Sequence, residues 1–392
     1  MYSFIWRMIR PSPLLHRPGC SGPCSRLRPL AGLIRFHGYV LVFDRYQGLK
    51  GVIMTDPATG FAAQARRGLT IFFPTLIITS GIVEWLIVRD GGPMSNHPNL
   101  VLVLMWMPAL SSAVARLSLR EGIRDVSFRF GGKVGLRSIG FAVLMPLIVG
   151  TVAYGIAWAT GLVGFSAITP SPAELAMSPA AARLAALEPI SRFLASVALG
   201  ATIFTVYGCL WTAGEEIGWR GYMLTRLIAA GVPQPLFVSG LIWAVWHFPL
   251  ILSGAYASGP HPLLSAGLFT IMVIGNALVG GVLRLRSGSV WPAIVLHAAW
   301  NSIIQNPFDR SSVGPDVTLW VGESGVLVAV TTLIVGLVVY QRWRKDGAKS
   351  LAKDQPIGGT NVVSPETAPS QPHFSAADKA TTAVPLPNLP AE

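Results

Sequence analysis

Apolar runs of about twenty residues recur along most of this chain, and they constrain its fold more than any other feature. The residues are 52% hydrophobic and 12% charged, whereas about 25% charged residues is usual for soluble domains. A run of about twenty apolar residues can cross the bilayer core, about 30 Å thick, as a helix. Eight such runs are present, at residues 69–88, 100–115, 138–160, 193–213, 235–252, 262–283, 289–304 and 325–340. The sequence therefore predicts an all-α, polytopic membrane protein with about eight transmembrane helices.

The two ends differ from this apolar centre. Residues 1–60 are basic and rich in proline, and we expect them to form a disordered arm. Translation can start at Met1 or at Met54, and the sequence does not decide between them. Residues 346–392 are rich in Pro, Thr, Ser and Ala, so we expect a disordered cytoplasmic tail. The membrane domain is predicted at residues 61–345.

The distribution of charge indicates a membrane topology rather than a nucleic-acid partner. The net charge is +12, but the basic residues gather in alternate loops. Residues 116–137 hold six basic and two acidic residues, whereas residues 306–323 hold one basic and three acidic residues. Basic loops face the cytoplasm, and basic residues also flank the first and last runs, so both termini are expected there. No basic face on a soluble module is evident, so we expect a lipid bilayer and no nucleic acid as partner.

Several ionisable residues lie where a membrane helix should have none. Glu215 and Glu216 occur in GEEIGWRGY, His247 in LIWAVWHFPL, and His297 in WPAIVLHAAWN, which also contains Asn301. Such groups are costly in hydrocarbon unless they are paired or face a wet cavity, so they mark functional sites.

Depth along the helices predicts that three of these residues meet. At a rise of about 1.5 Å per residue, Glu215, His247 and His297 lie about 12, 18 and 12 Å from the cytoplasmic ends of their helices. We therefore expect them to converge in the inner half of the bilayer, around a polar cavity in the bundle.

Helical spacing adds further expectations. Asn301 follows His297 by four residues and shares its face. Glu216 and Arg220 have the same spacing, which predicts an ion pair. Asn276, in the sixth run, is expected to hydrogen-bond a neighbouring helix.

This set of residue types can support peptide hydrolysis in two ways. A buried glutamate such as Glu215 can act as general base on water. A histidine can hold that water, while a second histidine and an asparagine amide can donate to the developing oxyanion. Alternatively, Glu215, His247 and His297 could form a three-ligand zinc site with an open fourth position. The sequence contains no HExxH motif and leaves both mechanisms open.

Three motifs resemble those of the CPBP family of intramembrane proteases, which includes the type II CAAX prenyl proteases and bacteriocin-processing (Abi) proteins. GEEIGWRGY resembles the EExxxR motif, and His297 with Asn301 resembles HxxxN. Trp243 to His247 resembles FxxxH, with Trp in place of Phe. The resemblance covers residues 195–304.

The resemblance implies an eight-helix endopeptidase that cleaves a membrane-associated peptide or protein. By analogy it assigns catalytic roles to Glu215, His247, His297 and Asn301, and supporting roles to Glu216 and Arg220. The cofactor is unknown, with a divalent metal such as zinc as the candidate.

A second class of function stays open, a non-proteolytic scaffold or bacteriocin-immunity factor of the same fold. A transporter is disfavoured because no half-to-half repeat is evident. Richness in Ala, Arg, Gly and Trp is typical of a GC-rich bacterium. We therefore expect a multi-pass protein of the bacterial inner membrane, in which prenylated CAAX substrates are not expected.

Overall fold

The computed structural model of the chain describes residues 33–36, 39–42 and 57–353, and these residues are almost entirely helical. The helices are α1 Pro57–Val88, α2 Pro98–Ser118, α3 Gly132–Thr160, α4 Pro172–Met177, α5 Pro179–Ala185, α6 Pro189–Ala229, α7 Pro235–Trp246, α8 Phe248–Leu252, α9 Pro262–Ser287, α10 Trp291–Ile303, α11 Val317–Trp320 and α12 Val326–Lys353. Helix α6 contains two π-helical segments, Gly200–Phe204 and Trp219–Met223. A third π-helical segment, Ile304–Phe308, continues α10.

The strands are short and pair in two antiparallel ladders. Strands β1, Leu33–Phe36, and β2, Tyr39–Val42, pair within residues 1–60. Strands β3, Gly164–Phe165, and β4, Ser312–Val313, join the segment after α3 to the segment after α10. The expected all-α class is therefore correct.

Six helices are long and apolar enough to cross a membrane in the described part of the chain: α1, α2, α3, α6, α9 and α12. The expected count of about eight is not confirmed. The fifth run forms α7, of 12 residues, and then α8. At 1.5 Å per residue α7 is about 18 Å long, shorter than a bilayer core. The seventh run forms α10, of 13 residues.

Proline and glycine set many of the helix boundaries. Pro98, Pro189 and Pro262 occupy the first turns of α2, α6 and α9, where an amide N–H would have no partner within the helix. Gly161 and Gly288 end α3 and α9 in the left-handed conformation.

Helix α9 is the most buried of the six candidate spans. It packs against α7 on one side and α12 on another, while α6 packs against α2 and α10. Helices α6, α7, α9 and α10 thus bring the three motif-bearing segments and Asn276 into one bundle.

The GEEIG sequence also packs α6 against α2. A Cβ on Gly214 would lie 2.6 Å from the carbonyl oxygen of Met105, and a Cβ on Gly218 would lie 2.3 Å from Cβ of Pro108. Two glycines four residues apart let two membrane helices approach closely. This contact with α2 fixes the part of α6 that carries Glu215 and Glu216.

Replacing Gly218 with alanine is expected to destabilise the protein by about 1–3 kcal/mol, because the new methyl group meets the backbone of Pro108. Gly155→Ala, in α3, is the matched control, since no atom lies within 4 Å of its Cβ position. Thermal unfolding of the detergent-solubilised proteins measures both changes. Equal melting temperatures for the two variants would contradict this account of the α2–α6 contact.

Candidate active site

The two adjacent glutamates lie in α6 just before its second π-helical segment. Glu215 is 2% exposed and Glu216 is 1% exposed. Single π-helical turns within α-helices are frequent at functional sites. Here the turn contains Trp219 and Arg220, each of which bonds the glutamate four residues before it.

Glu216 holds two partners on one carboxylate oxygen. Arg220 donates to Glu216 Oε1 at 2.7 Å, so the predicted ion pair is present and buried. His297 Nδ1 lies 3.0 Å from the same oxygen. Because a carboxylate only accepts, Nδ1 carries a proton and donates. The Arg220 guanidinium also lies 4.3 Å from the ring centroid of Trp243, a cation–π contact.

Glu215 is held by indole groups rather than by a cation. Its Oε2 accepts hydrogen bonds from Trp219 Nε1 at 3.0 Å and from Trp243 Nε1 at 2.8 Å. Trp243 in turn packs edge-to-face against His247, with ring centroids 6.0 Å apart, and against His297, with ring centroids 5.3 Å apart. Trp243 therefore links Glu215 to both histidines, and Glu215 has no ion-pair partner among the residues the structure describes.

His247 lies at the junction of α7 and α8. Its Nδ1 is 3.0 Å from the carbonyl oxygen of Trp243. A carbonyl only accepts, so Nδ1 carries the proton and Nε2 of the neutral ring keeps a free lone pair. The ring packs against Trp246, Phe269 and Tyr256, which fixes its orientation.

The side chain of Asn301 is oriented by a hydrogen-bonded chain. Gln305 Nε2 donates to Asn301 Oδ1 at 3.3 Å and to the Tyr256 hydroxyl at 3.2 Å. Tyr256 in turn donates to Glu323, which also accepts from Trp300 Nε1 at 2.8 Å. With its oxygen accepting from Gln305, Asn301 keeps its NH₂ group available as a donor.

The Tyr256 hydroxyl is always a hydrogen-bond donor in this series of side chains. Burial, and then the adjacent Glu323 carboxylate, raise the pKa of Tyr256 well above its usual value. The phenol therefore stays protonated across the physiological range and points its hydrogen at Glu323.

One cavity joins these groups, with about 30 Å³ of space for the centres of water-sized molecules. The residues lining it are Glu216, Arg220, Trp243, His247, Tyr256, Phe269, Met272, Val273, Asn276, Gly280, Ala293, Leu296, His297, Trp300, Asn301 and Glu323. Of the three residues predicted to converge, His247 and His297 line this cavity, together with Asn301. Glu215 is not among the lining residues, and it contacts the lining through the indole of Trp243.

The arrangement does not fit a metal centre. Each histidine leaves Nε2 free, as a ligating histidine would. Glu215, however, accepts from two indoles, and no three His, Cys, Asp or Glu side chains in the described ranges are grouped as metal ligands. The three-ligand zinc interpretation therefore finds no support in this geometry.

Sequence reasoning missed the groups that orient the predicted residues. Trp219 and Gln305 follow Glu215 and Asn301 by four residues, a spacing that could have identified them. Glu323 gave no such signal, because it lies in the segment between α11 and α12 and reaches the cavity only through the tertiary fold.

A bundle of apolar helices that places two carboxylates, two imidazoles and two carboxamides around one cavity defines an integral membrane protein with a polar intramembrane site. Residues 187–303 match the family model described as type II CAAX prenyl endopeptidase Rce1-like. Residues 187–303 are thus similar to the CPBP/CAAX family of membrane proteases, and they include all three motifs. No curated protein matches the chain.

Proposed function

We propose that the chain is an intramembrane endopeptidase that hydrolyses a peptide bond in a membrane-associated peptide or protein. The observation that carries this proposal is the position of Glu215, a buried carboxylate linked to both histidines through Trp243 and without an ion-pair partner among the described residues. A family match to membrane proteases over the same segment supports the reaction class.

Glu215 is the general base in this proposal. Its lone pairs are not committed to an arginine, so it can accept a proton from water. Glu216 is less suited to that role because Arg220 and His297 both bind its Oε1. Glu216 and Arg220 are therefore proposed as supporting residues that orient His297.

His247 positions the water. Its Nδ1–H donates to the Trp243 carbonyl, so the Nε2 lone pair can accept a hydrogen bond from that water. The packing of the ring against Trp246 and Phe269 limits its rotation, which lowers the entropy lost when the water is positioned.

His297 and Asn301 are the proposed oxyanion donors. With Nδ1 bound to Glu216, His297 can donate from Nε2 only when both ring nitrogens carry protons. That state is favoured by the Glu216 carboxylate, whose Oε1 accepts from His297 Nδ1 at 3.0 Å. The Asn301 NH₂ supplies the second donor.

The reaction then balances with these groups alone. Glu215 takes a proton from water while the water oxygen bonds to the peptide carbonyl carbon, and His297 and Asn301 stabilise the resulting oxyanion. Glu215 returns the proton to the amide nitrogen, the C–N bond breaks, and a carboxylic acid and an amine leave the site.

Tyr256→Phe is expected to lower kcat by about three- to tenfold with little change in KM, because Gln305 loses its hydroxyl partner and the Asn301 amide is less firmly oriented. Tyr207→Phe is the matched control, since Tyr207 is exposed on α6. Initial cleavage rates over a range of peptide concentrations measure both constants. A kcat as high as that of the control would argue against a positioning role for Tyr256.

The proposed function can be tested by comparing the membrane and secreted peptides of cells that carry the wild-type protein or Glu215→Gln. Substrates should accumulate uncleaved only with the variant, at equal protein levels in the membrane. Metal analysis of the purified wild-type protein accompanies this comparison. Identical peptide profiles would contradict proteolysis and favour a non-proteolytic scaffold.

We also propose that both termini face the cytoplasm of a bacterial cell, so that the active site opens from the inner half of the membrane. The support is the basic loop at residues 116–137 and the acidic stretch at residues 306–323.

A further inference from the structure

Asn276 is a buried amide in the middle of α9 whose hydrogen-bonding capacity is largely unused. The side chain is 5% exposed and lines the same cavity as His247 and His297. Among the described residues, its Nδ2 donates only to the sulfur of Met272, a weak acceptor one turn earlier in the same helix. Its Oδ1 is buried and has no partner among the described residues.

The interhelical hydrogen bond expected for Asn276 is therefore absent from the part of the chain that the structure describes. An unpaired amide inside an apolar bundle is unfavourable, and a leucine of similar size would pack there without that penalty. A group that binds in the cavity would supply the missing partners.

Beside Asn276, the cavity wall also contains other buried polar atoms without partners among the described residues. Gly280 lies one turn after Asn276, and a Cβ there would be 3.6 Å from Arg220 Nε, so the glycine leaves the guanidinium open to the cavity. Arg220 Nε and Glu216 Oε2 are also buried without partners among the described residues. The cavity wall thus contains an unpaired donor, Arg220 Nε, and an unpaired acceptor, Glu216 Oε2. It also contains the Asn276 amide, which can both donate and accept.

An extended peptide has the complementary groups. A substrate must leave its helical conformation before its peptide bond can be attacked, and its freed N–H and C=O groups then need partners inside the membrane. A primary amide can accept from one backbone N–H and donate to one backbone C=O, as strand pairing does.

We propose that Asn276 is a substrate-binding residue whose amide pairs with the backbone of the extended peptide beside the scissile bond. This inference rests on the proposed peptidase function, and it goes beyond that function by assigning a binding contact to α9. Arg220 Nε and Glu216 Oε2 extend the same polar wall.

Asn276→Leu is expected to raise KM by about tenfold, with kcat nearly unchanged and a melting temperature equal to or above that of the wild type. Thr270→Val on the same helix is the control, because the Thr270 hydroxyl already bonds the carbonyl of Ala266. Purified proteins in lipid vesicles are assayed with a short apolar peptide that carries a fluorophore and a quencher.

Methylation of the peptide nitrogens, one at a time, sharpens the test. One N-methyl group should weaken binding to the wild type about tenfold and leave binding to Asn276→Leu unchanged, because the bond it removes is already missing there. If Asn276→Leu lowers the melting temperature and leaves KM unchanged, Asn276 is structural and the inference is wrong.

Binding of the same peptides is also measured on Glu215→Gln and on Glu215→Gln combined with Asn276→Leu, where no turnover is needed. If the wild type cleaves nothing but the Asn276 dependence of binding persists, the inference holds and only hydrolysis fails. If peptide binding does not depend on Asn276 in either background, the inference is overturned.

Discussion

Glu215→Gln is expected to lower the rate of peptide hydrolysis by about 10²–10⁴-fold, the range that a general base contributes. The amide keeps the shape of the carboxylate and an oxygen for the indoles of Trp219 and Trp243, so the fold should persist. It cannot take a proton from water, and the attack on the carbonyl carbon therefore slows. Initial rates with purified protein in vesicles, together with melting temperatures, measure both parts of this expectation.

Two further variants show whether a lower rate comes from loss of the general base or from loss of the fold. Glu188→Gln, at the exposed start of α6, should leave the rate unchanged. Glu216→Gln should instead destabilise the fold by about 3–5 kcal/mol, because it breaks a buried ion pair. If Glu215→Gln cleaved at the wild-type rate, the assignment of the base to Glu215 would be wrong.

His297→Ala is expected to lower kcat by about 10²–10³-fold, because it removes one donor to the oxyanion. It also leaves Glu216 Oε1 with Arg220 as its remaining partner among the described residues. Steady-state kinetics of the purified variant, with its melting temperature, separate the loss of the donor from a loss of fold.

His261→Ala is the control for this variant, since His261 is exposed at the start of α9. A change in KM with kcat intact would indicate that His297 binds the substrate and does not stabilise the oxyanion.

The helices and the proximity of the motif residues could be predicted because both depend on local rules. Apolar runs of known length form helices in a membrane, and a fixed rise per residue gives the depth of each polar group. The Glu216–Arg220 pair followed in the same way, from its spacing alone. The number of spans could not be predicted from the apolar runs alone, because a helix such as α7 can be apolar and still too short to cross.

The finer geometry depends on tertiary contacts that no spacing rule contains. Trp243 stands where the FxxxH motif has phenylalanine, and its indole N–H bonds Glu215, which a phenylalanine cannot do. The contribution of Glu323 depends on how the segment before α12 returns to the bundle. The sequence indicated a role for the two glutamates of GEEIG, whereas the close packing against α2 depends on Gly214 and Gly218.

Cleavage of a peptide in water enriched in ¹⁸O tests the central claim most directly. The purified wild-type protein in vesicles should release a product whose new carboxyl group contains one ¹⁸O atom, and Glu215→Gln should release it about 10²–10⁴-fold more slowly. That result would show water-dependent endopeptidase activity that requires Glu215. Absence of cleavage by the folded wild-type protein, or ¹⁸O-labelled product at equal rates from both proteins, would contradict it.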